Sequence, residues 1–291
     1  MTTVAEAIAG AERELHTAGI DDARLEAELL LAHAGGGRRE QVTAALHEPV
    51  EPGAERMFAA LMVRRLRREP LAYITGHREF YGMDVVCRPG ALIPRPETEM
   101  LVDLALDEVR GRAPALDIVD VGTGTGAIAC AIAANAPDVR VLAVDSSVDA
   151  LAIARENVGR LALGARVGLQ TADLLEGLGS FDVIVANLPY VSEREWADAQ
   201  PEVRDFEPKE ALVPGPDGTE ANLRLLELAG GHLHDGALLA LEIGATQGSV
   251  ICEAARRLFP AAQVSVMKDL AGLDRVLVVR AGRAPRLRGG R

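Results

Sequence analysis

A short polar motif follows an apolar run late in the chain, and its residue types can hold a planar NH2 group. The run covers residues 183–186, and the motif is Asn187-Leu188-Pro189-Tyr190. A planar nitrogen has a delocalised lone pair, so an enzyme that uses it as a nucleophile must bind both N–H groups and orient the remaining electron density. The Asn187 side-chain oxygen and a main-chain carbonyl from the next residues provide two acceptors. The Tyr190 ring provides a flat wall.

A glycine-rich turn lies upstream, at residues 122–126 (Gly-Thr-Gly-Thr-Gly), between an apolar strand and the helix predicted over residues 127–134. Glycines allow the backbone to turn tightly and to approach a ligand closely, so we expect a ligand here. The turn alone does not identify it. Gly122, Gly124 and Ala127 also satisfy the dinucleotide pattern, and Asp145 lies where an acidic residue binds the ribose hydroxyls of NAD.

Two later residues favour S-adenosylmethionine over NAD as the ligand. Asp173, which follows the third strand, can accept a hydrogen bond from an adenine amino group, and the fourth strand brings Asn187 to the same sheet edge. A nicotinamide enzyme has no need of the Asn187 motif, and the chain offers no obvious acid for hydride transfer. A purely structural alternative remains, in which Asp145 and Asp173 each cap a following helix.

The length and composition indicate a soluble globular protein of two domains. A chain of 291 residues exceeds the usual size of a single core. The net charge of -12 argues against nonspecific nucleic-acid binding, and we expect no direct sequence-specific nucleic-acid partner. No apolar stretch approaches the roughly 20 residues that cross a bilayer, and no signal peptide is evident, so we expect a cytoplasmic location. Cys87, Cys130 and Cys252 are too few and too far apart for a disulfide framework and are expected in the core.

Hydrophobic periodicity divides the chain into four segments. Residues 1–72 are predicted to form a helical domain that recognises the substrate, beginning with a capping box at Thr3 and Glu6. Residues 73–96 are predicted to form a hairpin linker, and residues 97–280 the catalytic domain. Residues 281–291 contain several arginines with Gly and Pro and are predicted to be a disordered basic tail.

The catalytic domain alternates strand-like and helix-like segments, which is typical of an α/β fold with a doubly wound, Rossmann-like sheet. Helical connections between strands place helices on both faces of such a sheet. The sequence predicts seven strands, at residues 117–121, 140–145, 167–170, 181–186, 237–243, 263–267 and 275–279.

These motifs together resemble the peptide chain release factor N(5)-glutamine methyltransferases, a family of class I S-adenosylmethionine-dependent enzymes that methylate the glutamine of the Gly-Gly-Gln loop in bacterial release factors. The resemblance runs nearly end to end, and its most specific segment precedes Thr98. It rests on residues 73–76, 79–82 and 92–99, the glycine turn, residues 143–145, Asn157, Asp173, residues 187–190, 207–208, 217–218, 242–244 and 269–272.

The resemblance implies a role for each candidate site residue. The glycine turn would wrap the methionine and ribose of the cofactor, and it consists of Gly122, Thr123, Gly124, Thr125 and Gly126. Asp145 would bind the ribose hydroxyls, and Asp173 with Leu174 would bind the adenine. Asn187 would hold the glutamine amide beside the cofactor. The family has proline at both middle positions of the tetrapeptide, whereas this chain has Leu188 first, which keeps the carbonyl but adds an N–H and a looser φ.

The expected mechanism is direct in-line transfer of the methyl group to the glutamine nitrogen, with S-adenosylhomocysteine as the product and with no metal, covalent intermediate or general base. The expected partner is a release factor, no membrane is involved, and a monomer is expected. Three alternatives remain: a ribosomal-protein glutamine as acceptor, the adenine amino group of DNA or RNA, and a cofactor-binding paralogue whose turnover is reduced by Leu188. An adenine in a duplex would have to be flipped out, which an acidic chain disfavours.

Overall fold

The computed structural model describes residues 2–111 and 116–282, and the chain divides into two compact units. The helical unit comprises Met1–His77 and Gln200–Phe206, and the α/β unit comprises Arg78–Ala199 and Glu207–Arg291. The predicted basic tail lies outside the described residues from residue 283 onward. Within the described part of the chain, no helix is both long enough and apolar enough to cross a membrane.

The helical unit begins as its capping signal predicts. The Thr3 side chain accepts from the backbone of Glu6, and the Glu6 carboxylate accepts from the backbone of Thr3, which closes the first turn of the first helix. An apolar core that includes Ile8, Leu15 and Leu30 holds the helices of this unit together. Five of its helices precede the α/β unit: α1 (Val4–Thr17), α2 (Ala23–Ala34), α3 (Arg39–Ala44), α4 (Pro52–Leu66) and α5 (Leu71–Thr75).

The α/β unit contains a two-stranded hairpin and a seven-stranded sheet, as the sequence predicts. The hairpin consists of β1 (His77–Phe80), which starts at the last residue of the first stretch of the helical unit, and β2 (Met83–Val86). The sheet has the order β5-β4-β3-β6-β7-β9-β8, and β9 is antiparallel to both of its neighbours. Its strands are β3 (Asp117–Val121), β4 (Arg140–Asp145), β5 (Val167–Thr171), β6 (Phe181–Ala186), β7 (Leu233–Glu242), β8 (Gln263–Lys268) and β9 (Asp274–Arg280).

Helices provide apolar side chains to both faces of this sheet, and two separate apolar clusters result. Cys87, Cys130 and Cys252 are buried free thiols, as predicted, and burial raises the pKa of Cys87 and of Cys130 to about 12. The remaining α-helices of the described residues are α6 (Glu99–Arg110), α7 (Ala127–Asn135), α8 (Val148–Arg160), α9 (Glu193–Ala197), α10 (Pro201–Phe206), α11 (Glu220–Ala229) and α12 (Gly248–Leu258).

One short helix belongs to the helical unit although it follows β6 in sequence. This helix, α10, carries Glu202, whose carboxylate pairs with Arg65 at 2.8 Å and with Arg68 at 2.7 Å. Both arginines come from the end of α4 and the residues just after it, within a cluster of basic residues. Much of the positive charge at this helix end is therefore neutralised within the helical unit.

The sheet register brings four strand ends to one edge. Parallel pairing places Val121 opposite Val144 and Ala186, and Ala186 opposite Leu241. The residues that follow β3, end β4, follow β6 and end β7 therefore share the carboxyl edge of the sheet, where open α/β folds bind ligands. The predicted motifs lie at this edge, together with Glu242.

Candidate functional site

The glycine turn after β3 adopts a backbone that side chains with a Cβ resist. Gly122, Gly124 and Gly126 have φ angles of 71°, 56° and 79°. The Thr123 N–H donates to the Val144 carbonyl at 2.9 Å, which ties the turn to the next strand. A Cβ on Gly122 would lie 2.7 Å from Leu188 Cδ2. The turn thus requires glycine both for its left-handed φ and for its close packing against the tetrapeptide.

Asp145, at the end of β4, is held under the turn by backbone donors. Its Oδ2 accepts from the Gly124 N–H at 2.8 Å, and its Oδ1 accepts from the Ser147 N–H at 2.8 Å. Each carboxylate oxygen has further lone pairs, so the group can still accept from a ligand hydroxyl. The side chain that caps α8 is Ser147, which accepts from the Ala150 N–H, and not Asp145. The structural alternative for Asp145 as the helix cap is therefore wrong.

Asp173 lines the same cavity but is engaged in an exposed ion pair that the sequence does not reveal. Arg224, on α11, donates to both of its carboxylate oxygens, at 2.9 and 2.8 Å, and also pairs with Glu176. The next residue, Leu174, has a φ of 53° and is half-buried at the cavity wall. A ligand amino group at Asp173 would therefore meet a carboxylate whose orientation Arg224 already restricts.

These residues surround a cavity of about 660 Å³ within the α/β unit. Such a volume lies in the usual range of roughly 300–1,000 Å³ for small-molecule sites. The cavity has a glycine wall that a Cβ at Gly122 would disturb, and two carboxylates suited to hydroxyl and amino donors, so the residues fit S-adenosylmethionine. The predicted site residues in its lining are Gly122, Thr123, Gly124, Thr125, Asp145, Asp173, Leu174, Asn187, Leu188 and Pro189, whereas Gly126 and Tyr190 do not line it.

Asn187 lies at the wall of this cavity with its carboxamide oriented by a buried neighbour. Its Nδ2 donates to the Thr98 hydroxyl at 3.0 Å. Its Oδ1 accepts no hydrogen bond from any residue that the structure describes. The side chain is half-buried and is not walled off from the cavity, which meets the main structural requirement for a role in binding an amide.

A buried carboxylate underlies Asn187. Glu242 is 1% exposed, and it accepts from the Thr98 hydroxyl at 2.7 Å through Oε2 and from the Tyr190 hydroxyl at 3.0 Å through Oε1. Burial raises the pKa of Glu242, while the two hydroxyl donors and Arg275 oppose that rise. Burial and the nearby Glu242 carboxylate also raise the pKa of Tyr190, whose hydroxyl donates into this network.

Leu188 and Tyr190, two further residues of the tetrapeptide, are held in place by their neighbours. Leu188 is 4% exposed and packs in the apolar cluster around β6 and β7, and its N–H has no acceptor among the described residues. The carbonyl of Tyr190 accepts from Gln247 Nε2 at 2.7 Å, which fixes the end of the motif. Because the Tyr190 hydroxyl is bonded to Glu242, Tyr190 does not line the cavity. Neighbouring residues form the cavity wall that the sequence assigns to its ring.

A second buried acid supports the glycine turn from below. Asp120 is 0% exposed, and its Oδ2 accepts from the Thr123 hydroxyl at 2.5 Å and from the Ala129 N–H at 3.2 Å. Its Oδ1 has no hydrogen-bond partner among the described residues. Burial raises the pKa of Asp120 to about 7, although the two hydrogen bonds favour its ionised form.

Two further buried polar side chains brace the cavity from a distance. Asn157, on α8, bonds to both backbone groups of Val86 and donates to the Thr125 carbonyl at 2.9 Å, so it joins the hairpin to the glycine turn. Glu207 accepts from the Ile93 N–H at 3.0 Å and pairs with Arg95. Both fix the backbone on either side of the cavity.

Four residues of the site, Thr98, Glu242, Asp120 and Arg224, have no role predicted from the sequence. One signal was available for Glu242, because an acid that ends the apolar run of residues 237–241 must be buried with partners if that run is a central strand. Asp120 carries the same signal within residues 118–121. Thr98 and Arg224 carry none, since their partners are 144 and 51 residues away in the chain.

Two family models match separate parts of the chain. The PrmC N-terminal domain matches residues 6–76, and the methyltransferase small domain matches residues 98–202. Among solved structures, a methyltransferase from Pyrococcus furiosus superposes with a TM-score of 0.52 at 21% identity, covering 76% of this chain and 98% of that one. The superposition shows a shared methyltransferase fold.

Similarity to curated proteins extends over nearly the whole chain. The release factor glutamine methyltransferase of Rhodopirellula baltica is 41% identical and covers 89% of this chain and 90% of its own length. That of Nitratidesulfovibrio vulgaris is 40% identical, with coverages of 93% and 92%. On this similarity, together with a carboxamide positioned at the wall of a cavity that fits S-adenosylmethionine, the chain belongs to the release factor glutamine methyltransferase family.

Proposed function

We propose that this chain transfers a methyl group from S-adenosylmethionine to the side-chain amide nitrogen of the glutamine in the Gly-Gly-Gln loop of a bacterial peptide chain release factor. The observation that carries the proposal is the Asn187 carboxamide, whose Oδ1 has no partner among the described residues and which lines the same cavity as the glycine turn. Family membership supports the same reaction.

The cofactor would be held by the glycine turn and two carboxylates. When bound, S-adenosylmethionine supplies a methyl group activated by the positive charge on its sulfur. We assign its methionine and ribose to residues 122–126, its ribose hydroxyls to Asp145, and its adenine to Asp173 and Leu174. The family resemblance implies these assignments, and the acceptor chemistry of the carboxylates and the close approach that glycines allow support them.

Asn187 and the residue after it would hold the substrate amide. The glutamine NH2 has two hydrogens, and the Asn187 Oδ1 and the Leu188 carbonyl provide one acceptor for each. Neither oxygen accepts a hydrogen bond from the described residues, so both are available to the glutamine. Binding both N–H groups fixes the plane of the amide, and the resulting orientation is the main contribution of the protein to catalysis.

Tyr190 contributes to this arrangement from beneath rather than as a wall. Its hydroxyl bond to Glu242 and its carbonyl bond to Gln247 hold the end of the tetrapeptide in place. We therefore propose a positioning role for Tyr190 in place of the stacking role suggested by its residue type. Leu188 supplies its carbonyl, and its buried side chain keeps the motif packed against Gly122.

Residues 1–72, most of the helical unit, are proposed to recognise the body of the release factor, with residues 73–96 as the linker to the catalytic domain. The PrmC N-terminal domain match over residues 6–76 supports a dedicated role for this unit. The net charge of the whole chain is -12, so we expect binding to the release factor to depend on specific surface complementarity more than on general attraction to nucleic acid.

The test is to incubate the full chain with S-adenosylmethionine and either purified bacterial release factors or purified ribosomal proteins, and to locate any added methyl group by tandem mass spectrometry. We expect a mass gain of one methyl on the glutamine of the Gly-Gly-Gln loop and on no other residue. A release factor with that glutamine replaced by alanine is the matched control and should gain nothing. Methylation of a ribosomal-protein glutamine instead, or cofactor binding without any methylated product, would overturn the proposal.

A further inference from the structure

A continuous chain of hydrogen bonds joins Asn187 to Glu242 through the hydroxyl of Thr98. The Asn187 Nδ2 lies 3.0 Å from Thr98 Oγ1, and Thr98 Oγ1 lies 2.7 Å from Glu242 Oε2. Thr98 is 4% exposed and Glu242 is 1% exposed, so water has little access to the two inner members. Within such a buried chain, each group must satisfy its neighbour in a definite donor and acceptor role.

The number of available protons determines the direction of this chain. An ionised carboxylate can only accept, so the single hydroxyl hydrogen of Thr98 must point to Glu242. The Thr98 oxygen is then left as an acceptor, and only the NH2 group of Asn187 can satisfy it. The Asn187 carboxamide is thereby oriented with its oxygen directed away from Thr98, and this oxygen is the atom available to a ligand.

The opposite direction becomes possible when Glu242 can donate. A protonated carboxyl group, or a glutamine side chain at this position, could donate to the Thr98 oxygen, and the Thr98 hydroxyl could then donate to the Asn187 Oδ1. Asn187 would turn over and present its NH2 group to a ligand. The Asn187 side chain has a similar shape in both directions of the chain. It offers a ligand an acceptor in one direction and a donor in the other.

The groups around Glu242 fix the position of its side chain. The direction of the hydrogen-bond chain therefore depends on whether its carboxyl group is charged. Tyr190 donates to the second carboxylate oxygen, and Asn222 Nδ2 donates to the Glu242 backbone carbonyl at 3.0 Å. Arg275 and Glu97 are the charged groups that act on it most strongly, in opposite senses. Replacement by glutamine would preserve the shape of this site and change only which atoms donate.

We propose that Glu242, acting through Thr98, is the positioning residue that makes Asn187 a hydrogen-bond acceptor and thereby selects a carboxamide over a carboxylate at the methyl-accepting position. This inference rests on the function proposed above. A glutamine amide offers two N–H donors to the Asn187 oxygen, whereas a glutamate side chain offers only acceptors and would face that oxygen unfavourably. With the chain reversed, the NH2 group of Asn187 would instead favour the glutamate.

The test compares two forms of the release factor on the full-length enzyme. One form carries the natural glutamine and is the substrate; the other carries glutamate at that position and is measured as a competitive inhibitor. We define discrimination as the inhibition constant of the glutamate form divided by the KM of the glutamine form. In Glu242→Gln we expect discrimination and kcat/KM each to fall by about tenfold or more, with the dissociation constant of S-adenosylmethionine unchanged.

Glu108→Gln is the matched control, because Glu108 is another buried acid of the α/β unit, paired with Arg280. It should leave both kcat/KM and discrimination as in the wild type. If Glu242→Gln retains full discrimination while methylating the substrate, the inference is wrong. A wild-type enzyme that methylates no release factor would instead overturn the proposed function, so the two failures are distinguishable.

A second pair of variants decides the question if Glu242→Gln does not fold. Thr98→Val removes the hydroxyl link while keeping the shape of the side chain, and Thr98→Ser keeps the hydroxyl. Discrimination should fall in Thr98→Val and be largely recovered in Thr98→Ser. Equal discrimination in the two variants would contradict a relay through the hydroxyl.

Discussion

The two halves of the cavity are built in different ways. The cofactor half depends largely on the glycine backbone and on contacts between residues close in the chain. Asp145 accepts from the backbone of Ser147, two residues on, and Asp120 accepts from the side chain of Thr123, three residues on, whereas the pairing of Asp173 with Arg224 spans 51 residues. The substrate half depends on side chains joined across long distances, with 89 residues between Asn187 and Thr98. Thr98 and Glu242 are 144 residues apart in the chain.

This difference explains what each half requires of the sequence. Backbone recognition needs glycines with particular φ angles and acids at strand ends, and these requirements leave a contiguous pattern. Side-chain recognition needs only that the fold bring a few residues together, and it leaves no pattern along the chain. We therefore expect substitutions in the cofactor half to change cofactor affinity, and substitutions in the substrate half to change turnover and selectivity.

Gly122→Ala should produce the largest effect among the predictions in the cofactor half, and it tests whether the halves are separable. A left-handed φ costs a residue with a Cβ roughly 1–2 kcal/mol, and the added Cβ would lie 2.7 Å from Leu188 Cδ2. We expect the dissociation constant of S-adenosylmethionine, measured by calorimetry, to rise by about tenfold or more. Turnover should also fall, because the displaced Leu188 belongs to the substrate half.

Gly177→Ala is the matched control for strain. Gly177 has a φ of 74° but no heavy atom within 4 Å of the added Cβ. It should lose stability and keep cofactor affinity. Equal cofactor affinities in the Gly122 and Gly177 variants would contradict the close packing of the turn against the tetrapeptide.

The pH dependence of turnover should show the next largest effect and should distinguish the substrate half from the cofactor half. Only the substrate half contains an acid whose charge orients the substrate. Burial raises the pKa of Glu242, so it takes up a proton at a higher pH than an ordinary glutamate, near 4.3. Protonation permits the reversed hydrogen-bond chain. We expect kcat/KM to decline on the acid side above the ordinary carboxyl range, with Tyr190, Arg275 and Glu97 as the neighbouring groups that set the midpoint.

The variant Glu242→Gln supplies the control for this profile. It should lack the acid decline and should show low kcat/KM throughout, since its side chain does not ionise. An acid decline of equal size in Glu242→Gln would assign the titration to another group.

Asp120→Asn should have a smaller effect, on stability, and it tests the buried acid of the cofactor half. Burial raises the pKa of Asp120 to about 7 in the folded chain, against about 3.9 when unfolded. Its contribution to stability is therefore complete below the unfolded value and is lost as the pH rises to about 7. We expect the Tm of the wild type to fall relative to that of Asp120→Asn between pH 4 and pH 8. The fall should be roughly 2–4 °C for each kcal/mol lost from the free energy of unfolding.

Thermal melts of both proteins without cofactor, across that range of pH, make the measurement. A constant difference in Tm would show that Asp120 does not titrate there. The asparagine can keep the bonds from Thr123 and Ala129 through its single oxygen, so a loss of hydrogen bonding does not confuse the comparison.

Leu188→Pro should have the smallest effect. The Leu188 N–H has no acceptor among the described residues, so proline removes no bond. The main loss is the packing of a buried side chain in the apolar cluster, at a cost of about 1 kcal/mol in stability. Rates of methyl transfer should remain within about threefold of the wild type, since the carbonyl is kept. A large gain in turnover would show that leucine impairs this enzyme.

The fold was largely predictable from the sequence because its elements are marked locally. The seven strands occur where the apolar segments predict them, with β7 starting at Leu233, four residues earlier than expected. Those residues, 233–236, are mostly polar or exposed and carry no apolar pattern. The assignment of α10 to the helical unit could not be foreseen, since it depends on Glu202 meeting Arg65 and Arg68.

The candidate site, like the fold, was predictable from the sequence only in part. Gly122, Asp145 and Asn187 lie at the cavity, as their positions at strand ends imply. The direction of the Tyr190 side chain was missed, because a strand-end aromatic can turn either to the cavity or to a buried acid, and the acid at residue 242 decides between them. Only the folded chain shows which partner is within reach.

Asn187→Ala separates methyl transfer from cofactor binding. We expect transfer to the release-factor glutamine to fall by about a hundredfold or more, since one of the two acceptors that orient the amide is lost. We expect the dissociation constant of S-adenosylmethionine to change by less than about threefold, because the glycine turn and Asp145 are untouched. Transfer at the wild-type rate, or a loss explained entirely by weaker cofactor binding, would contradict the proposed role of Asn187 as an amide acceptor.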